Sequence, residues 1–239
     1  MLTSDLDDVR RTPFSPADLA RLLARAGVIP HPFKARQQIH IGSDPGQLAI
    51  VLKGAVSVAV QLDDGFSIEA ALAGAGDWLG WPPTAAHGQF TAALDGELGI
   101  VSLDALLAQA SAVGRPAPDV LALAAPLVQR VSLNLACQAR HSVAQRLARR
   151  ILDLSRLGGD LSTVPMTQDD AAMALGVQRT SVTHAAVRLQ QAQAVRVVRA
   201  RTIIKDRALL ERLACTCSRP RAPAADPRHL QVSRLPSVK

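Results

Sequence analysis

The stretch from Arg179 to Gln190 concentrates side chains that can bond to nucleic acid. Arg179, Thr180, Thr183, His184 and Arg188 recur three and four residues apart, the spacing that gathers residues on one side of a helix. An arginine there can hold guanine O6 and N7 with two hydrogen bonds, worth about 1–3 kcal/mol of discrimination against the wrong base. Arg179, Thr180, Thr183 and His184 are therefore the candidate base readers. Thr167, Ser181, Arg188, Arg196, Arg199 and Arg201 are the candidate phosphate contacts, which position a protein without reading sequence. Catalytic chemistry is poorly supplied. His87 could be drawn with Asp77, Asp95 or Glu97 as an acid–base set, but no nucleophile or metal motif accompanies it, and the chain is read as no enzyme. Cys215 and Cys217 stand two apart with no second ligand pair nearby, so no metal site is expected.

The elements that must carry these residues can be read around them. Thr167-Gln-Asp-Asp170 is a capping box with Asp in place of Glu or Gln, and it starts a helix over Gln168–Leu175. Gly176 suits a left-handed corner residue. A second helix follows over Arg179–Gln190. Ala172 is small where the two would cross, and Ala171, Leu175, Val177, Val182 and Ala185 form the apolar inner set. This is a helix-turn-helix pattern. Val195 to Lys205 then alternates, turns at Arg199-Ala200 and returns, with Arg196, Arg199, Arg201 and Lys205 on one face of a small hairpin, a wing. A short helix over Asp206–Ala214 closes the domain. The tail from Ser218 is rich in Pro and Arg and reads as disordered.

Upstream, residues 15–27 read as an amphipathic helix capped by Ser15, with Leu19, Leu22, Leu23 and Ala26 on one face. Residues 34–103 read as short strands with glycine turns, an all-β sandwich or barrel in which Phe66, Ile68, Ala70 and Leu72 keep a period of two. Residues 117–157 read as helix, interrupted at Pro126, with Val120, Ala124, Leu127, Val131 and Leu135 as one stripe. Ser142 to Leu157 is a second amphipathic stretch. A long striped helix either packs back on its own chain or pairs with the same helix of another chain. The length of the stripe, with the arginines off it, favours pairing.

Charge divides the chain. Residues 1–114 hold 7 Lys/Arg against 12 Asp/Glu, whereas residues 115–239 hold 20 against 8, within a total of +7 for 239 residues. The second half is the one a polyanion attracts. Aromatic residues are 3% of the chain and Tyr is absent, which argues against a base-stacking surface for single strands. The N-terminus MLTSDLDDVR does not read as a signal peptide, and no run of 18 apolar residues reads as a membrane span. A cytoplasmic protein with no membrane partner is expected.

From about residue 15 to 217 the chain resembles the Crp/Fnr family of bacterial transcription regulators. The resemblance is carried by Gln145-Arg-Leu-Ala-Arg149, by Met166 to Thr183, and by Arg201-Thr-Ile-Ile-Lys-Asp-Arg207, with looser support from Gly54, Gly65, Gly76 and Gly80. It implies an α+β chain with a cyclic-nucleotide-binding-type β-roll (jelly-roll-like), a long dimerisation helix and a winged helix-turn-helix. The corresponding divisions are 1–114, 115–141 and 142–217, with a basic tail at 218–239. It also implies a homodimer on near-palindromic double-stranded DNA, with RNA polymerase as a further partner.

The departures from the family pattern are specific. Where well-known members begin the reading helix Arg-Glu-Thr-Val, this chain has Arg179-Thr180-Ser181-Val182, and Ala200 replaces the wing glycine. Gly80 is followed by Trp81-Pro82-Pro83, where members that bind cyclic AMP place a ribose- and phosphate-holding stretch. Residues 54–114 contain no Lys or Arg and seven acids (Asp63, Asp64, Glu69, Asp77, Asp95, Glu97 and Asp104), so a phosphate there would lack its cationic partner and no cyclic AMP cofactor is expected. The alternative is a regulator gated by a different small molecule, with Trp78, Trp81 and the two prolines lining an apolar pocket. His31, His40 and His87 have no spacing that singles out a haem ligand. Cys137 reads as a packed small apolar residue, and thiol sensing through Cys215 and Cys217 is the weaker reading.

Overall fold

The computed structural model describes residues 14, 16–41, 46–80 and 88–218. The helix cap Ser15, the sequence Trp81-Pro82-Pro83, His87 and the tail beyond Ser218 lie outside the described residues.

Helix α1 (Pro16–Arg25) precedes a run of short antiparallel strands: β1 (Pro30–Phe33), β2 (Gln38–Ile39), β3 (Gln47–Lys53), β4 (Val56–Gln61), β5 (Ser67–Ala73), β6 (Trp78–Leu79), β7 (Gly88–Ala92) and β8 (Gly96–Ser102). They form two four-stranded sheets ordered β1-β8-β3-β6 and β2-β7-β4-β5, the β-roll of the expected α+β architecture. Between the sheets lie Phe33, Val51, Val56, Val58, Leu79, Phe90 and Leu98, whose alternation along the strands turns them inward. Each such large side chain taken from water contributes about 1.5–3 kcal/mol. Trp78 is not among them. It packs with Leu19, Ile50, Val101 and Leu106, in the cluster shared with α1 and with α2 (Leu103–Ala112).

The helical region restarts at the proline, as expected: α3 (Ala117–Leu121) and a 3-10 turn (Ala122–Ala124) lead into α4 (Ala125–Arg140) with Pro126 in its first turn. The expected single pairing stripe does not hold. Val120 and Leu127 are buried and Val131 packs against the roll, so most of that face is covered by its own chain. Of the expected stripe Leu135 (72%) is exposed, and it continues a seam with Leu121 (44%) and Val128 (59%), seven residues apart, each followed four residues on by Ala125, Ser132 or Ala139. The faces differ because which side of a helix is covered depends on how it meets the roll, not on its own period. By composition Ala117–Arg140 is long and apolar enough to cross a membrane, against the expectation of no such stretch, but the 3-10 turn breaks it and Val120, Leu123, Leu127 and Cys137 are buried in the protein.

Helix α5 (Val143–Leu157) starts on a capping box in which Ser142 Oγ accepts from Gln145 N–H and Gln145 Oε1 accepts from Ser142 N–H. Strand β9 (Thr163–Pro165), α6 (Gln168–Leu175), α7 (Arg179–Gln191), β10 (Val195–Val198), β11 (Arg201–Ile204) and α8 (Arg207–Leu213) complete the C-terminal part. Its core joins Leu147, Ile151, Leu154, Leu175, Val182, Leu189 and Leu210, and extends into the roll through Ala55 and Leu94.

Strand β5 lies against this part. A bulge leaves Ala70 unpaired: Val58 faces Ala71 and Ala59 faces Glu69 across the β4–β5 pair. The extra residue re-aims the side chains beyond it, which is what bulges do. Glu69 consequently shares a side with Ser57, whose hydroxyl donates to Glu69 Oε2 at 2.5 Å, and meets Arg150 of α5, whose Nη1 donates to Oε1 at 2.5 Å. Asn134 Nδ2 of α4 donates to the Glu69 carbonyl at 3.0 Å. Other acids of the 54–114 window find partners outside it too: Asp77 pairs with Arg130 and Asp95 with Lys34. Two glycines set close approaches. A Cβ on Gly74 would stand 2.5 Å from Leu157 Cδ2, and one on Gly176 2.3 Å from Ile68 Cδ1.

Candidate DNA interface

Thr167 caps α6 as the sequence suggests: its Oγ1 accepts from Asp170 N–H at 3.0 Å, and Asp170 Oδ2 accepts from Thr167 N–H at 2.8 Å. Helix α6 ends at Gly176 in the left-handed conformation, with φ 60°. The chain then turns into α7, which runs one residue beyond the expected Gln190. Val182, Ala185, Ala186 and Leu189 face the core, while Arg179, Thr180, Thr183, His184 and Arg188 are exposed on the opposite side. All four base-reader candidates thus share one open face. Ser181 is half-buried beside it.

Two residues not singled out in the sequence hold this face. Gln168 Oε1 accepts from Arg179 Nε at 3.3 Å and from Thr183 Oγ1 at 3.1 Å, and Asp169 Oδ1 lies 3.5 Å from Arg179 Nη1. The first turn of α6 thereby orients the first turn of α7. Polar residues at a helix start give no sign of this in sequence, because their partners lie 11 and 15 residues away.

The wing has three strands, not two, in the order β10-β11-β9. Val195 and Thr202, on the inward side, are buried. In the β10–β11 register Arg196 faces Ile203 and Val198 faces Arg201, so Arg196 and Arg201 share the outward face, with Arg199 at the turn. Arg196, Arg199 and Arg201 are all exposed. A concavity of about 460 Å³ lies between the wing and the two helices, bordered by Thr167, Gln168, Arg179, Arg199 and Ala200.

Ala200 adopts φ 60° at the wing tip, a left-handed conformation that costs a non-glycine residue roughly 1–2 kcal/mol. Ala200→Gly is expected to raise the unfolding free energy by about 0.5–1 kcal/mol, since glycine's extra freedom in the unfolded chain offsets part of the relief. Urea melts of the two proteins check this. A drop in stability would mean that the methyl group contributes more than the strain costs.

Among the other candidates, His31 and His40 are exposed on the roll. Cys137 and Cys215 are buried, and burial pushes the Cys137 thiol up to about 12 and that of Cys215 upward as well, which makes either a poor nucleophile as a free thiol.

Residues 145–213 match the model of the Crp-like helix-turn-helix domain. No curated protein matches the chain by sequence. Solved structures share its fold. FixK2 from Bradyrhizobium japonicum superposes with a TM-score of 0.63 at 19% identity, covering 79% of this chain and 98% of that one. TTHB099 from Thermus thermophilus, a transcriptional regulator of the CRP family, gives 0.62 at 20% identity, over 77% of this chain and 96% of that one. CLP of Xanthomonas campestris, described as a c-di-GMP responsive global regulator, gives 0.62 at 17% identity, over 80% of this chain and 100% of that one.

Proposed function

We propose that this chain, which carries a Crp-like helix-turn-helix domain on the fold of the Crp/Fnr regulators, is a homodimeric, sequence-specific DNA-binding transcription regulator that works in the cytoplasm. The observation that carries the reading is the exposed face of α7, with Arg179, Thr180, Thr183 and His184 on a capped helical corner beside a wing bearing Arg196, Arg199 and Arg201. The α7 face reads base edges in the major groove. Thr167, Ser181 and Arg188, with the wing arginines, bind phosphate and set the register.

The second copy is this same chain, paired along α4. The exposed seam alternates steps of four and three residues (121, 125, 128, 132, 135, 139), the heptad spacing of a two-helix contact, with large residues at one position and small ones at the other. Leu135→Glu would place like charges opposite each other at the two-fold axis. It is expected to convert the dimer to monomer in sedimentation equilibrium and to abolish cooperative binding to a two-half-site DNA. A stable dimer in that variant would move the interface elsewhere.

Cyclic AMP is not the effector in this reading. The window 54–114 offers a phosphate no cation, and the arginines that reach its buried acids, Arg150 to Glu69 and Arg130 to Asp77, come from α5 and α4 and are already engaged.

The test is selection from a random DNA pool by full-length protein stripped of small molecules, at about 150 mM salt, where the screening length is ~8 Å and purely electrostatic binding is weakened. The expected result is an enriched two-fold symmetric site with half-sites about 34 Å apart. Salt-sensitive binding with no enriched sequence would overturn the assignment of α7 as a reader.

A further inference from the structure

The expectation of no metal site rests on Cys215 and Cys217 lacking a second ligand pair close in sequence. In space they have one. Cys137 and His141, four residues apart at the C-terminal end of α4, come to Cys215 and Cys217 just beyond α8, and the four donor atoms all lie within 4.8 Å of one another. Cys137 Sγ is 3.4 Å from Cys215 Sγ, and Cys217 Sγ is 3.5 Å from His141 Nδ1.

These are the separations of a tetrahedral shell. Two thiolates bound to one zinc ion at ~2.3 Å stand about 3.8 Å apart, and a thiolate and an imidazole nitrogen about 3.5 Å apart. A span of 4.8 Å suits the shell of one ion and is short for a cluster of several. Three soft sulfurs and one imidazole are also the donor set that favours zinc over the harder divalent ions.

The surroundings supply the charge that such a centre needs. Three thiolates, one neutral imidazole and Zn²⁺ sum to −1. Arg149 acts on both Cys137 and Cys215, and Arg146 lies within the field of the same two thiols. The Nε atoms of Arg146 and Arg149 are buried without a hydrogen-bond partner among the described residues. One terminal nitrogen of each is anchored: Arg149 Nη2 donates to Asn134 Oδ1 at 2.6 Å and Arg146 Nη1 to the Leu175 carbonyl at 2.8 Å. Two anchored cations with free donors beside three thiols is an arrangement that neutral thiols leave unbalanced and a zinc-thiolate centre completes.

We infer that Cys137, His141, Cys215 and Cys217 form a Cys₃His site for a single zinc ion, which ties the end of the α4 helix to the segment that closes the reading domain. Binding replaces the thiol protons by the metal, and the protons leave to solvent.

The probe is Co²⁺ added to full-length, reduced, metal-free protein under anaerobic conditions. The expected result is one cobalt per chain, with a thiolate-to-cobalt charge-transfer band and the intense visible bands of tetrahedral cobalt, both erased by stoichiometric zinc. Protein purified without chelator should carry about one zinc per chain by elemental analysis. Cys217→Ser and His141→Gln, both at half-buried positions that leave the packed core intact, should each weaken cobalt binding at least about tenfold, with unchanged far-ultraviolet circular dichroism. A pale octahedral cobalt spectrum, or bands insensitive to both substitutions, would overturn the site. So would a Cys137–Cys215 disulfide in the reduced preparation, seen as a chain lighter by two hydrogens. None of these readings involves DNA, so the site stands or falls apart from the regulator assignment.

Discussion

Arg150→Met is expected to lower the unfolding free energy by about 3–5 kcal/mol at neutral pH, the cost of leaving a buried charge without its partner. Arg150 and Glu69 are both buried and joined at 2.5 Å, so solvent screens neither. Methionine keeps much of the side-chain volume, and the loss is chiefly electrostatic. The pH dependence has a definite sign. Burial pushes the Glu69 carboxyl above its ordinary 4.5, against the pull of Arg150, Ser57 and Arg149. An acid with a raised value in the folded state binds its proton more tightly there, so its contribution to stability falls as pH rises from the unfolded value to the folded one. Removing Arg150 raises the folded value further and widens that window. The deficit of the variant should therefore be largest at neutral pH and should shrink on acidification towards about pH 4.5. The double variant Glu69→Gln/Arg150→Met should recover part of the loss, because it leaves no charge stranded. Denaturant melts at several pH values measure all three. A deficit independent of pH would assign Arg150 to packing alone.

The second large effect concerns recognition. Arg179→Ala should cost about 1–3 kcal/mol at one base pair of each half-site, roughly 5- to 150-fold in affinity, and should flatten discrimination there while leaving other positions unchanged. In the free protein Arg179 rests on Gln168 and Asp169. Those contacts are exposed and of little worth, so a guanine edge can displace them. Arg201→Ala should behave differently: every sequence weakens alike, and the salt dependence of binding drops by about one ion. Fluorescence anisotropy against the selected site and its single-base variants separates the two. If both substitutions weakened all sequences equally, α7 would be a backbone contact and not a reader.

The parts of the molecule that are legible in the sequence are those governed by local chemistry. The Thr167–Asp170 box, the left-handed Gly176 and the alternation of Val195–Lys205 each act within a few residues, and α6, α7 and the wing hairpin stand where the pattern puts them. Strand β9 escapes such a reading because three residues ending in a proline carry no period of their own. The exposed seam of α4 shares only Leu135 with the expected stripe: Val120 and Leu127 stand seven apart just as Leu121 and Val128 do, and only packing against the rest of the chain decides which pair is covered. The bulge at Ala70, which turns Glu69 towards Arg150, leaves no mark on an alternating apolar strand. The four donors near Cys137 are hidden by distance, with Cys137 and Cys215 78 positions apart in the chain.

The two close approaches at glycine bear on how such a chain can change by descent. Gly74 of the roll faces Leu157 of α5, and Gly176 of the reading corner faces Ile68 of the roll, each where a single added carbon would fall within 2.5 Å of its neighbour. The partners sit on opposite sides of the division near residue 142, and the core itself crosses that line through Ala55 and Leu94. A recombination event that exchanged one half for a homologous half would therefore have to carry glycine and its apolar counterpart together, twice over, from two separate stretches of sequence. The β-roll and the helix-turn-helix part in this lineage are expected to be inherited as a linked pair, with substitutions at 68 and 176, and at 74 and 157, arising in concert rather than singly.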